Sequence, residues 1–229
     1  MDSIEIASAA AGGLRLDFPS EKHVAALASA WDDDANHQVA FLRQPEFRAA
    51  QRPCEYASMV ASADLVLPAA ESVARLALKS GESAMLKRSI PIGVRRRDYL
   101  SYFGPPVDDP HPVQTYSPLK VLALFLSALE QRRGSVFLLG GVLQALQRAE
   151  LHLRSTFPEL RVVGRSTGDY GEADEPAIMR ALQKAAPDMI VVGSLVKDGE
   201  LWIPRHMRFT KSGIFLYDAG IIELLAGRR

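Results

Sequence analysis

The second half of the sequence alternates short apolar runs with segments of helical periodicity, and this alternation limits the fold more than any other feature. Several of the apolar runs end at glycine, and the segments between them are long enough for helices. Such an order predicts a parallel sheet with helices on both faces. We therefore expect an α/β fold with a Rossmann-like, open, mostly parallel sheet. The predicted order is helix 119–133, strand 135–139, helix 143–155, strand 160–163, helix 176–185, strand 189–192 and strand 214–217.

The first half gives a less regular pattern, and a proline-rich segment separates it from the second half. Residues 104–118 contain five prolines, which is typical of a loop or linker. We therefore divide the chain into 1–103, the linker 104–118 and 119–229, although both halves can form one continuous domain. The elements predicted for the first half are strand 14–18, a helix that opens at 19–21, a helix over 37–51 broken at Pro45, strand 63–68 and helix 72–79.

Composition excludes several classes of protein. The 27 basic and 27 acidic residues give zero net charge, whereas a dedicated nucleic-acid binder usually carries a basic excess. The single cysteine, Cys54, rules out an intrachain disulfide and favours the reducing cytoplasm. We find no apolar run of the roughly 20 residues that a membrane span requires, and we expect no signal peptide in residues 1–13.

The sequence also argues against a bound metal or dinucleotide. The five histidines show no i, i+4 pair and no carboxylate–histidine cluster with metal-ligand spacing. No Gly-x-Gly-x-x-Gly follows a predicted strand, which counts against a dinucleotide cofactor and a generic Rossmann-type enzyme. We therefore expect no metal and no cofactor.

Small or polar residues follow three predicted strands, at the positions where ligands bind in open α/β sheets. Gly140 and Gly141 fit a tight turn or a backbone whose N–H groups approach a diphosphate. Gly193 and Ser194 follow a second strand, and Ser194 is a candidate ligand of uridine or phosphate, or a helix cap. Asp218 follows the last strand and is a candidate ribose ligand, with a solvated turn residue as the alternative.

Further candidates are aromatic or basic. Tyr170 is a candidate for stacking on a base, with a half-buried surface tyrosine as the alternative, and Trp202 is expected to be a core anchor. The cations at 87–88 and 95–97 suit phosphate contacts or an anionic membrane, or form a solvated basic loop.

Short segments along residues 14–220 match, in order, the motifs of one family. They are 63–68 (ADLVLP), 140–141 (GG), 157–164 (FPELRVVG), 168–170 (GDY), 188–193 (DMIVVG) and 200–203 (ELWI). In these segments the chain resembles the WecG/TagA/CpsF family of bacterial glycosyltransferases. The resemblance places Gly168 and Tyr170 at a turn of the nucleotide site and Arg88 near a family arginine. It places Asn36, with neighbouring His37, on the acceptor side. By the same resemblance, 1–103 is the acceptor half and 119–229 is the nucleotide-binding half.

The resemblance implies transfer of a sugar from a UDP-sugar, such as UDP-N-acetylmannosamine, to a polyprenyl-diphosphate-linked or other glycan acceptor in polysaccharide or cell-envelope assembly. It further implies a homo-oligomer and a peripheral contact with an anionic membrane. Because the Asp-x-Asp at 32–34 follows a helix-like segment rather than a strand, we expect a metal-independent enzyme, and the zero net charge argues against a nucleic-acid partner. Relatives also carry a membrane-contacting C-terminal extension, which the segment ending in Arg229 does not resemble.

Three polar positions of the family are replaced. Its catalytic aspartate falls at Ala69-Ala70, its glutamine at Gly199 and its threonine near Asp34. An alanine cannot accept a proton, so Arg88 remains as the electrostatic clamp, and Glu71 or Asp34 is the candidate base. Glu71 is expected on an extended segment, on the same side as Ala69. Two hypotheses stay open: an active transferase, or a catalytically degenerate member that binds nucleotide or serves as an accessory subunit.

Overall fold

A computed structural model describes residues 2–79, 86–92, 114–210 and 213–227. Its strands are β1 (Asp2–Ala11), β2 (Leu14–Phe18), β3 (Asn36–Leu42), β4 (Leu65–Pro68), β5 (Leu86–Ile92), β6 (Ser135–Leu139), β7 (Arg161–Ser166), β8 (Met189–Val192) and β9 (Gly213–Tyr217). Its helices are α1 (Glu21–Ala30), α2 (Gln44–Ala50), α3 (Glu55–Ser62), α4 (Glu71–Ala74), α5 (Leu76–Lys79), α6 (Pro118–Gln131), α7 (Leu143–Thr156), α8 (Glu175–Ala185), α9 (Gly199–His206) and α10 (Ile221–Leu225), with a 3-10 turn at Met207–Phe209.

Two sheets form from the described strands. A three-stranded sheet has the order β2-β1-β5, and both of its pairings are antiparallel. A six-stranded parallel sheet has the order β4-β3-β9-β8-β6-β7. This sheet, flanked by helices, confirms the predicted α/β, Rossmann-like architecture.

The chain divides into two compact units. The first unit contains residues 1–33 and 39–124, and the second contains residues 34–38 and 125–229. The second unit therefore includes a short stretch from the first half of the chain. Residues 104–113 of the proline-rich segment lie outside the described residues, so the linker and the boundaries based on it stay a prediction.

The second unit buries both faces of strands β6, β8 and β9. On one face, side chains of β6, β8 and β9 form a core cluster with α8 and α9, and this cluster includes Phe215 and Trp202. The alternate residues Leu138, Val191 and Leu216 are also fully buried, so helices cover the opposite face as well. The run Met189–Val192, in which three of the four residues are β-branched, suits this double burial. Trp202 is thus a core anchor, as predicted.

Polar bonds fix the amino ends of the strands in the second unit. The Asp188 carboxylate accepts hydrogen bonds from the Ser135 N–H at 2.7 Å and the Ser135 hydroxyl at 2.5 Å. These bonds join the start of β6 to the start of β8. Asp188 is therefore a structural residue at the edge of the sheet opposite to the glycine loops.

Several predictions about local structure were wrong. The helix expected over 37–51 is instead strand β3 followed by helix α2, because six of the seven β3 residues are buried and a strand covered on both faces shows no helical periodicity. Pro45 lies in the first turn of α2 rather than breaking a helix. The helix expected over 72–79 is two short helices, and strands β1 and β5 and helices α3, α9 and α10 were not predicted.

Candidate functional site

The glycine pair after β6 makes a tight turn whose N–H groups bond within the protein. Gly140 and Gly141 have φ angles of 114° and 66°, which favour glycine. The Gly140 N–H donates to the Ser166 carbonyl at 2.9 Å, and the Gly141 N–H donates to the Ser194 carbonyl at 2.7 Å. The two glycines therefore form a tight turn, and both of their N–H groups donate to backbone carbonyls within the protein.

Close backbone contacts explain why the neighbouring loops also use glycine. A Cβ on Gly140 would lie 2.8 Å from the backbone of Gly193, and a Cβ on Gly168 would lie 2.4 Å from the Ser194 carbonyl oxygen. The Gly193 N–H donates to the Leu139 carbonyl at 2.7 Å. The structure thus brings the predicted glycines together at the carboxyl ends of β6 and β8.

A carboxylate that the sequence analysis missed lies beside these loops. The Ser194 hydroxyl donates a hydrogen bond of 2.9 Å to Glu223 Oε1. A Cβ on Gly141 would lie 3.4 Å from the same oxygen, so the carboxylate stands against the glycine turn. The other oxygen, Oε2, is buried and has no hydrogen-bond partner among the described residues. An acidic residue in the first turn of the helix after β9 was the available sequence signal. Ser194 does not cap α9, whose N-cap is Asp198.

Asp218 closes the turn between β9 and α10. Its side chain is only 3% exposed, and its Oδ1 accepts a hydrogen bond of 3.0 Å from the Gly220 N–H. Its own N–H donates to the Val192 carbonyl at 3.1 Å. Asp218 is a turn residue, as one alternative proposed, but it is buried rather than solvated.

Tyr170 is half-buried and packs against the core cluster of the second unit. Burial raises the pKa of its phenol, and the negative charge of Glu175 raises it further. Trp202 stacks on His206 with ring centroids 4.6 Å apart, and His206 also contacts the Glu175 carboxylate. These contacts favour the half-buried tyrosine over a free stacking platform.

The loop between β8 and α9 is bent and partly apolar. Leu195 and Asp198 have φ angles of 68° and 48°, a conformation that is costly for residues other than glycine. Leu195 is 53% exposed. On the neighbouring loop, Val142 and Leu143 are also exposed large apolar residues. Val142 is the N-cap of α7 without a side-chain cap, so the first-turn N–H groups of this helix lie at the same edge of the sheet.

Arg88, in the first unit, is held by a buried acid. Its guanidinium donates to Asp17 Oδ2 at 3.1 Å and to the Asp64 carbonyl at 2.8 Å. Arg15 contacts the same carboxylate oxygen at 3.1 Å, and the Val66 N–H donates to it at 2.9 Å. Asp17 is fully buried, and the sequence analysis did not select it. Arg88 thus joins β5 to β2 and to the start of β4.

The candidate bases, Glu71 in the first unit and Asp34 in the second, lie in less protected positions than Asp17. Glu71 starts helix α4, so the expected extended segment was wrong, and its carboxylate accepts a hydrogen bond of 2.8 Å from Arg75. The side chain of Glu71 is 60% exposed. Asp34 is exposed in the loop before β3. In the helices that follow β4 and β3, the Ser72 hydroxyl donates a hydrogen bond of 2.9 Å to Gln44 Oε1. The sequence analysis did not identify this contact.

The structure separates Asn36 and His37 from the glycine loops. Asn36 begins β3, and its side chain donates to the Met207 carbonyl at 2.8 Å. The Gly213 N–H donates to the Ala35 carbonyl at 3.2 Å, which puts the start of β3 beside the start of β9. His37 is buried. Both residues therefore lie at the amino ends of the strands, whereas the glycine loops lie at the carboxyl ends.

Other candidates fall outside what the structure describes. The side chain of Lys87 and the arginines at 95–97 are outside the described residues. Within the described ranges, no group of three or more His, Cys, Asp or Glu residues is placed to hold a metal ion. No described helix has both the length and the apolar character needed to cross a membrane.

Comparison with protein families decides the relationship of the chain. A model of the glycosyl transferase WecG/TagA/CpsF family matches residues 110–229, just over half of the sequence. The chain belongs to the WecG/TagA/CpsF family. The matched range contains both glycine loops, Ser194 and Glu223, whereas the similar segments of the first half lie outside it. No curated protein sequence matches the chain.

Membership of the WecG/TagA/CpsF family supports a glycosyltransferase-like function in the synthesis of cell-envelope polysaccharides. At the same coarse level, it implies a sugar nucleotide and a lipid-linked acceptor as substrates.

Proposed function

We propose that the second unit binds the nucleotide of a UDP-sugar at the carboxyl ends of β6 and β8, and that the protein transfers the sugar to a lipid-linked or other glycan acceptor. The observation that carries this proposal is the contact of 2.9 Å between Ser194 and Glu223 beside the glycine turn. Ligands of open α/β sheets bind at this edge, and an acidic residue there commonly bonds the ribose hydroxyls.

The state of the Glu223 carboxylate supports a ligand with hydroxyl donors. One oxygen is satisfied by Ser194, and the other is buried without a partner among the described residues. Burial of an unsatisfied carboxylate oxygen is unfavourable. A ribose diol that met this carboxylate after a small rotation of the side chain would supply the missing donor. The diphosphate would then lie near the first turn of α7, where helix N–H groups favour anions.

A titration of the purified protein with UDP and UDP-N-acetylmannosamine tests this site. Calorimetry should detect binding to the unmodified chain and about tenfold weaker binding to Glu223→Gln, because a charged acceptor is lost. The matched control is Glu159→Gln, since Glu159 is exposed and pairs with Arg133 in the same unit. Absence of UDP binding, or equal affinity in the two variants, would contradict the assignment.

A second candidate function is nucleotide binding without turnover, as an accessory subunit. It is favoured by the end of β4, where Ala69 and Ala70 offer no proton acceptor and Glu71 pairs with Arg75. Assays of sugar transfer and of UDP-sugar hydrolysis separate the two functions. Turnover that is abolished by Glu71→Gln supports the transferase with Glu71 as base, whereas UDP binding with no detectable turnover supports the accessory role.

A further inference from the structure

Tyr217 occupies the space beside Gly199. Gly199 is the first residue of α9, and a Cβ on it would lie 2.6 Å from Tyr217 Cε2 and 3.2 Å from both Cζ and the phenol oxygen. A carbon atom cannot approach a ring carbon to 2.6 Å without displacing it. No side chain can therefore project from position 199 while Tyr217 keeps its place.

Tyr217 lies at the carboxyl ends of the strands, where the nucleotide site of the second unit is proposed. It is the last residue of β9 and pairs in register with Val192, the residue before Gly193 and Ser194. Its ring packs, partly exposed, against the core cluster on the face that α8 and α9 cover. The side chain thus lies one strand away from Ser194, on the side of the sheet edge where α9 begins.

The residue before Gly199 has an unusual backbone conformation. Asp198 precedes Gly199 and has a φ angle of 48°, in the left-handed region. Its side chain makes no capping hydrogen bond to α9 and instead accepts a hydrogen bond of 3.0 Å from Arg205. Strained loop residues of this kind cluster at ligand sites.

We propose that Tyr217 contacts the sugar nucleotide and helps to select it, and that its ring and hydroxyl take the place in the site that a side chain at 199 would otherwise hold. The phenol both donates and accepts hydrogen bonds, and its ring offers an apolar face to a sugar or base. This inference rests on the proposed function, because it assigns a further contact to the same site.

The variant Tyr217→Phe tests the contact, since it removes the hydroxyl and keeps the ring that packs on Gly199. UDP and UDP-N-acetylmannosamine would be titrated by calorimetry into the full chain and into both variants, with Tyr56→Phe in α3 as the matched control. We expect about three- to tenfold weaker binding for Tyr217→Phe, which corresponds to the loss of one hydrogen bond to the ligand. The control should bind like the unmodified protein.

The possible results separate the two proposals. If the unmodified chain binds neither ligand, the proposed function fails and the role of Tyr217 fails with it. If the unmodified chain binds and Tyr217→Phe binds equally well to both ligands, only the role of Tyr217 is overturned, and the residue serves packing alone.

Two substitutions in combination test whether the Tyr217 ring fills the space beside residue 199. Gly199→Ala should lower the unfolding midpoint in the unmodified chain, and it should have a much smaller effect in a Tyr217→Ala background, where the ring is absent. Equal effects in the two backgrounds would show that Tyr217 does not hold the space beside residue 199, and this result would overturn the proposed replacement even if the protein folds less well.

Discussion

The Ser194 hydroxyl donates a hydrogen bond of 2.9 Å to the Glu223 carboxylate and so joins the loop after β8 to helix α10. Ser194 follows β8, and Glu223 lies in the first turn of α10. The backbone of Ser194 also accepts the Gly141 N–H, so this serine joins the ends of β6 and β8 to the helix that carries the acid. The proposed nucleotide site is organised around this serine.

Replacing Ser194 by alanine should weaken both the fold and the site. Glu223 would lose its hydrogen-bond donor, and a bond to a charged acceptor that is partly exposed is worth about 1–2 kcal/mol. We expect that loss in the free energy of unfolding from urea denaturation, together with weaker UDP binding. The control Ser155→Ala removes an exposed hydroxyl at the end of α7 and should change neither quantity. Unchanged stability and unchanged affinity in Ser194→Ala would refute the role of this bond.

Gly140→Ala should destabilise the protein by about 2–5 kcal/mol, because an L residue is strained at a φ of 114° and its Cβ would lie 2.8 Å from the Gly193 backbone. Thermal or urea unfolding measures this loss. Gly171→Ala is the matched control, since the nearest atom to its Cβ would be a side-chain oxygen at 3.8 Å. A Gly140→Ala protein as stable as the control would mean that the two loops do not meet as closely as described.

Asp17→Asn should cost about 2–4 kcal/mol of unfolding free energy. The substitution keeps the shape of the side chain but leaves Arg15 and Arg88 without their shared charge, and broken buried ion pairs are strongly destabilising. We expect a smaller loss than for a fully buried ion pair, because both arginines are about a quarter exposed. Urea denaturation provides the measurement.

The exposed pair of Glu71 and Arg75 supplies the control for Asp17. Glu71→Gln should change the unfolding free energy by less than about 0.5 kcal/mol, as is usual for surface pairs. Similar losses for the two substitutions would contradict the structural role of Asp17 and return Arg88 to consideration as a free clamp for a diphosphate.

His23 should make folding sensitive to mild acid. Burial lowers the pKa of its imidazole below the ordinary value of 6.5. Its Nδ1 accepts a hydrogen bond from the Ser20 N–H at 3.3 Å, which requires an unprotonated nitrogen. The unfolded chain therefore binds a proton more readily, and the stabilisation is complete above pH 6.5 and is lost as the pH falls through the folded pKa.

The variant His23→Gln isolates this effect, because a glutamine oxygen can still accept from Ser20 without titrating. Urea midpoints would be measured between pH 8 and pH 5 for both proteins. We expect the unmodified protein to lose more stability than the variant on acidification. Parallel curves would show that His23 does not titrate differently in the folded and unfolded chains.

Periodicity alone predicted most elements of the second unit. The predicted strand 189–192 coincides with β8, and the helices over 143–155 and 176–185 differ from α7 and α8 by one residue at one end. The apolar residues of each segment follow either a helical or a strand pattern, and each segment is bounded by glycine, proline or a polar residue. The prediction was poorer where burial on both faces removed the alternation, as in β3, or where small residues gave no pattern, as in β1.

The sequence by itself determined the α/β architecture, the family and the position of the glycine loops at strand ends, because these depend on local periodicity and on residues next to one another in the chain. Only the tertiary structure decided which distant side chains meet. In the structure Ser194 contacts Glu223, Arg88 contacts Asp17, and Gly199 lies against Tyr217. Asn36 lies at the amino ends of the strands, opposite to the glycine loops. Such contacts depend on how strands order and helices pack, and no spacing in the chain encodes them directly.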